Sequence, residues 1–186
     1  DPRLSVLFAI AGVFATQQDL DAMLRRSLTS LVETLEEVQA GVLLLFDPED
    51  ARLVVRAAHG YDLARLKEVR LAVGEATCGK TFETGRPRFY PTPRSLAESR
   101  RSLTDEHAAA FREALIGDQW PQSAVCMPFF AGDKEQGVMM LENLHQSHAF
   151  VQSDLPFLQA VVDLVALAIE NARLRVQLEE ARALDE

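Results

Sequence analysis

The run Gly74-Glu75-Ala76-Thr77-Cys78-Gly79-Lys80-Thr81 fits the pattern G-x-x-x-x-G-K-[ST] letter for letter. In a phosphate-binding loop of that pattern, backbone amides and the lysine cradle the phosphates. The motif needs a parallel strand before it and a substantial helix after it, whose N-terminus completes the anion site. Here Gly85, Arg86 and Pro87 end any following helix after about two turns, and the neighbouring strands read as hairpins. Nucleotide hydrolysis is therefore kept as an alternative reading and not as the expectation.

Other reactive side chains are sparse. Cys78 lies in this turn and Cys126 in an apolar strand; two cysteines in the whole chain make neither a disulfide framework nor a closely spaced zinc site. The first is expected to be accessible and the second to be a small core hydrophobe. His145 and His148 share a loop with Asp154 nearby, but no third ligand is assured, so no metal is expected. His59 and His107 have no nearby serine or cysteine nucleophile with an orienting carboxylate, so a catalytic triad cannot be argued and no catalytic residue is expected. Five aromatics, Phe82, Phe89, Tyr90, Phe111 and Trp120, populate one irregular stretch. Aromatics there either fill core or line a pocket. Cys78, Phe82, Phe89 and Tyr90 are the residues first expected to line it.

The elements that must position these residues follow from periodicity. Leu4, Leu7, Ala11 and Phe14 form one helical stripe and Val6, Ile10 and Val13 a second, so a helix within residues 1–18 needs two partners and is expected to dimerise. A second helix follows the candidate caps Thr16 and Asp19 and carries apolar residues from Leu20 to Val38 on one face. GVLLLF, ending at Phe46, and RLVVRAA, from Arg52, make one antiparallel hairpin. SAVCMPFF, from Ser123, and GVMMLEN, from Gly137, make another. Pro128 lacks an amide donor, which implies a sheet edge at that point. Between Gly60 and Gly117 the text is irregular and proline-rich. Such a segment inside a compact domain tends to present side chains around a cavity.

A long helix is expected over 153–186, capped by Ser153. Leu155, Leu158, Val162, Val165, Ile169 and Ala172, then Val176, alternate three and four residues apart, which is the seam of a coiled coil and the expected homodimer interface. The helix then runs on as a charged strip towards a covalently linked output domain, an expectation also prompted by a chain that opens without methionine.

Composition limits the partners. The chain has 186 residues, 48% hydrophobic and 25% charged, with net charge -9; it is long enough for one core and too acidic for a nucleic-acid surface. The apolar run from Leu4 to Ala15 is shorter than the roughly 20 residues of a membrane span. One domain over 1–186 in a reducing cytoplasm, free of nucleic acid and membrane, is the expectation.

The order helix, helix, hairpin, irregular segment, hairpin, long helix resembles that of GAF domains, and the residues add to it. Gly137 to Leu174 is similar to the family's C-terminal stretch, with Leu-Glu-Asn ending the last strand, Phe150 followed by Asp154, and Ile-Glu-Asn-Ala-Arg-Leu. Gly74 to Phe89 is similar to its Gly-Glu, Gly, Thr-Gly-x-Pro pattern. The resemblance implies an α+β fold: a central antiparallel sheet of about six strands, the N- and C-terminal helices on one face and a ligand pocket on the other. It implies a non-catalytic small-molecule-sensing or regulatory domain of a bacterial signalling protein, its cofactor or ligand unknown, with a ligandless dimerisation module as a further alternative. The cyclic-nucleotide subtype carries Asn-Lys, Phe and Asp-Glu; here Leu144 follows Asn143 and Leu155 follows Asp154. The free-methionine-sulfoxide reductases carry a Cys-Gly like Cys78-Gly79 with further cysteines after it, and none lies between Cys78 and Cys126.

Overall fold

The computed structural model describes residues 1–16 and 19–185. The last two positions of the expected 1–18 helix, and Glu186 of the expected 153–186 helix, lie outside the described residues.

Helix α1 (Pro2–Thr16) buries Val6, Ile10 and Val13 and packs on the next helix and on the C-terminal one. Of the other expected stripe, Leu7 and Phe14 pack partly buried against the same core and Leu4 is exposed, as is Phe8 beside it. Helix α2 (Leu20–Thr34) starts where Asp19 accepts a hydrogen bond from the Ala22 amide. It stops earlier than expected: Leu35 is already extended, and Val38 lies beyond the helix although both side chains stay buried. The Gln39 amide donates to the Glu142 carbonyl, so strand pairing begins there and the helix cannot continue through it.

Both expected hairpins form. Strand β1 (Ala40–Asp47) pairs with β2 (Arg52–His59). The irregular segment then supplies α3 (Leu63–Leu66), β3 (Arg70–Ala72), α4 (Ala76–Thr84), β4 (Arg88–Tyr90), α5 (Pro93–Arg100) and α6 (Asp105–Ala114). The second hairpin is β5 (Ser123–Ala131) with β6 (Lys134–Asn143). The six strands make one antiparallel sheet in the order β3-β2-β1-β6-β5-β4. Strand β4 reaches only Ala124 to Cys126 on β5, so at Pro128 that strand is a free edge and the missing amide leaves no ladder bond unmade.

The pleat divides the sheet's side chains between two cores. Leu43, Leu45, Val125, Met127, Phe129, Met139 and Leu141 face the terminal helices. Val42, Leu44, Ala124, Cys126, Val138 and Met140 face the segment from Tyr61 to Leu115. The sheet thus separates helices on one side from a roof of short elements on the other.

A short 3-10 turn (Gln152–Asp154) leads into α7 (Leu155–Leu184), with Pro156 in its first turn. The expected cap Ser153 sits inside that turn, and Asp154 accepts from the Val151 amide. Leu158, Val162, Val165 and Ile169, four members of the expected dimer seam, are 0–2% exposed within the chain's own core; Leu155 and Ala172 are partly covered. The correction is physical: the sheet and α2 offer a concave apolar surface in the same chain, and the most regular apolar stripe is spent there. What α7 leaves outside is Leu167, Leu174 and Leu178, together with Leu184 and Val176, the last residue of the expected stripe. Gln152–Leu184 is long and apolar enough to cross a membrane, and within it Leu158, Val161, Val162, Val165, Ala166 and Ile169 are packed into this core.

Candidate ligand cavity

Between the sheet and its roof lies a cavity of about 380 Å³. Its floor is the pocket face of β6, Met140 and Glu142, with Thr77 and Cys78 from α4 beside them. Leu71, Leu96, Leu103 and Phe111 give it apolar walls, and Arg100, Arg101, Arg112 and Trp120 stand around it. That volume falls in the range of small-molecule sites, which are mostly apolar with a few placed polar groups.

Local sequence holds the roof. Thr92 and Ser95 cap α5 reciprocally with Pro93 in the first turn, so Arg100 falls in the last turn, where a cation suits the helix dipole. Thr104 caps α6 by accepting from the His107 amide. Glu75 joins these parts: it accepts from the Ala72 amide at 3.0 Å and the Thr104 amide at 3.2 Å, and its Oε2 lies 2.7 Å from His107 Nδ1. Burial pushes the Glu75 carboxyl up, but the His107 bond and the two amides outweigh it and hold the group below its usual range. His107, read as uncommitted from sequence, is thus a structural clasp.

Glu142 is the one wholly buried carboxylate facing the cavity among the described residues. Its Oε1 accepts from the Tyr61 hydroxyl at 2.7 Å, whereas Oε2 has no hydrogen-bond partner. Burial raises its pKa to about 7, with the Tyr61 bond and the Arg100 charge acting in the opposite direction. Tyr61 is fixed by an isolated bridge to Leu115 and by backbone bonds on both sides of it, Ile116 amide to Gly60 carbonyl and Asp62 amide to Ala114 carbonyl.

The residues first expected to line a pocket separate. Cys78 is in the cavity wall; Phe82, Phe89 and Tyr90 are not among the lining residues. Phe82 stacks on Phe46 with centroids 4.7 Å apart. Phe89 pairs with Val125 and packs against the helix-side core, and only its neighbour Tyr90 turns to the pocket face. The cause is the pleat: adjacent residues of β4 cannot share a face. Cys126 is fully buried, and burial, followed by the adjoining Cys78, drives its thiol well above the usual range.

Glu142 is the site residue that a site reading of the sequence misses. The signal was legible: Val138, Met140 and Glu142 alternate onto one face, so a carboxylate ends an otherwise apolar stripe.

The phosphate-loop pattern folds into something else. The amides that would hold phosphate are occupied: Gly74 donates to the Gly79 carbonyl, Gly79 to Glu75, Glu75 to Ala72 and Ala76 to the Ser102 hydroxyl. Lys80 Nζ donates to the Ser99 carbonyl. Gly74 has φ +90°, and a Cβ on Gly79 would stand 2.6 Å from the Ala72 carbonyl oxygen, so both glycines serve close packing. The strand before the motif is three residues long and antiparallel to its neighbour. Among the described residues no group of three or more His, Cys, Asp or Glu is arranged to hold a metal.

An antiparallel sheet with terminal helices on one face and a roof of short elements on the other is the architecture of GAF domains. The chain belongs to the GAF domain family, whose model matches residues 17–170. It is 23% identical over 171 residues to the nitrogen fixation protein AnfA of Azotobacter vinelandii, covering 90% of this chain and 30% of that protein; the chain thus spans under a third of that relative. Among solved structures it is similar to the GAF domain of a phosphoenolpyruvate-protein phosphotransferase from Coxiella burnetii, with TM-score 0.77, 20% identity, and 94% and 96% of the two chains covered. It is also similar to the free methionine-R-sulfoxide reductase of Neisseria meningitidis in complex with its substrate, with TM-score 0.72, 19% identity and coverage of 93% and 91%. One fold therefore serves regulatory and catalytic proteins alike.

Proposed function

We propose that this domain is a non-catalytic sensor that receives a small molecule in the cavity between sheet and roof and transmits its presence to α7. The observation that carries the reading is Glu142, a buried carboxylate with a free oxygen in the cavity wall. A group that costs stability when ionised, yet lies where a ligand would meet it, fits a binding role better than a structural one.

The route to α7 is short. Met140 and Glu142 face the cavity, while Met139 and Leu141 on the same strand face the helix-side core that contains Leu158, Val162 and Val165. A ligand that prefers one setting of β6 shifts the population of α7 positions by its differential affinity. In the full-length protein α7 would lead to an output domain. A second copy would meet this one along the exposed stripes of α1 and α7, Leu4 and Phe8 with Leu167, Leu174 and Leu178, since so much apolar helix in water is unusual for a monomer. The acidic balance, net charge -9, supports a setting away from nucleic acid, and two free cysteines fit a reducing cytoplasm.

Native mass spectrometry of the gently purified domain tests the reading. The wild type is expected to carry a non-covalent small molecule, or to take one up from a metabolite extract; Ala108 of α6 lines the cavity, and Ala108→Trp, with a side chain large enough to fill it, is expected to lose the molecule. A wild type that binds nothing, or a variant that binds equally well, would overturn the proposal.

A further inference from the structure

The cavity has two chemically opposite ends. At the floor, Glu142 Oε2 is fully buried with no partner. At the rim, Arg100 stacks its guanidinium over the Trp120 ring, 5.1 Å from the centroid. Neither Arg100, Arg101 nor Arg112 forms an ion pair among the described residues. Arg100 is close enough to bear on the charge of Glu142, yet the two are not in contact. Between them the walls are apolar.

An unpaired buried carboxylate oxygen calls for a hydrogen-bond donor, best a cationic one, because a donor restores the solvation that burial removed. The Arg100 guanidinium, partly covered and held over Trp120, calls for an anion, for which its planar donors are suited. From this polarity we infer that the cavity binds a small amphoteric molecule, with a protonated nitrogen seated on Glu142 and an anionic group held by Arg100. This rests on the sensing reading above and adds the ligand's chemical class. The mostly apolar lining, Leu71, Leu96, Leu103 and Phe111, favours a spacer of methylenes over a polar body.

The pH dependence follows. The titratable or charged groups that act on Glu142 are Tyr61 and Arg100, both in the cavity wall, and Cys126, buried on β5. None of the other three groups changes charge between pH 6 and 8 in this setting: burial raises both Tyr61 and Cys126, and arginine stays protonated. An amphoteric ligand needs Glu142 ionised, so its affinity rises as pH passes upward through about 7.

The probes are ω-aminocarboxylates of three to eight carbons, each with its matched alkylammonium and alkylcarboxylate, titrated calorimetrically into the intact domain at pH 6 and pH 8. At least one aminocarboxylate is expected to bind at least tenfold more tightly than both of its monofunctional partners, and more tightly at pH 8. Glu142→Gln and Arg100→Gln should each reduce it to the monofunctional level, with far-ultraviolet circular dichroism showing that both variants are folded. Equal binding of a plain carboxylate, an advantage that survives Glu142→Gln, or no binding by any member would overturn the inference. A retained molecule of another chemical class in native mass spectrometry would leave the sensing reading standing and this one refuted; an Ala108→Trp variant that binds as well as wild type would remove both.

Discussion

Two buried glutamates respond to pH in opposite directions. Glu142 has its folded pKa raised to about 7, so the folded state holds a proton that the unfolded chain has already lost. Stability should therefore fall as pH rises from the unfolded value near 4.5 through 7, by up to about 3 kcal/mol. Glu75 is held low by His107 and two amides after overcoming its own desolvation; its contribution is present above the unfolded pKa and lost as pH falls through the depressed folded one. Thermal melts from pH 4 to 8 should show Glu142→Gln melting several degrees above wild type at pH 8, about 2–4 °C for each kcal/mol recovered, with little difference at pH 4.5. Identical pH profiles for the two proteins would contradict this assignment. The sequence made the reactive residue types visible but not their partners. His107 and Glu75 are 32 positions apart in a stretch with no periodicity to bring them together, and only the folded roof shows that they meet.

At the scale of elements, the loop from Gly74 to Thr81 and helix α7 make separate predictions. Lys80→Ala removes one bond to the Ser99 carbonyl and should cost about 1 kcal/mol. Gly79→Ala drives a methyl against the Ala72 carbonyl and should cost more, about 2 kcal/mol or above; neither variant should change affinity for ATP, measured by calorimetry. Along α7, Ile169→Ala should cost about 3 kcal/mol in urea unfolding, and Val165→Glu should prevent folding. Leu174→Glu with Leu178→Glu should leave the fold intact and, on the dimer reading, lower the mass seen by light scattering. Helices α1, α2 and α7 and the two hairpins were legible because periodicity marks them directly, whereas α3 to α6 lie in the stretch that reads as irregular. The short strands β3 and β4 were not, being three residues each with no room for a pattern. The coiled-coil stripe was read correctly as apolar, but a sequence does not say whether a seam closes on its own sheet or on another chain.

For the whole molecule, the sheet is the boundary that matters. It is one strand thick, with Glu142 in the cavity wall on one side and α7 packed on the other; the family resemblance implied helices on one face and a pocket on the other, but not the carboxylate. The resemblance to a reductase fold shows that architecture alone does not decide between sensing and catalysis; what the cavity does to α7 decides it. Hydrogen–deuterium exchange comparing wild type with Ala108→Trp, a permanent occupant of the cavity, tests this coupling without knowledge of the ligand. The account predicts altered protection in the roof, in β6, and across the sheet in α7 from Leu158 to Ile169. Changes confined to α4, α5 and α6, with β6 and α7 exchanging as in wild type, would contradict it.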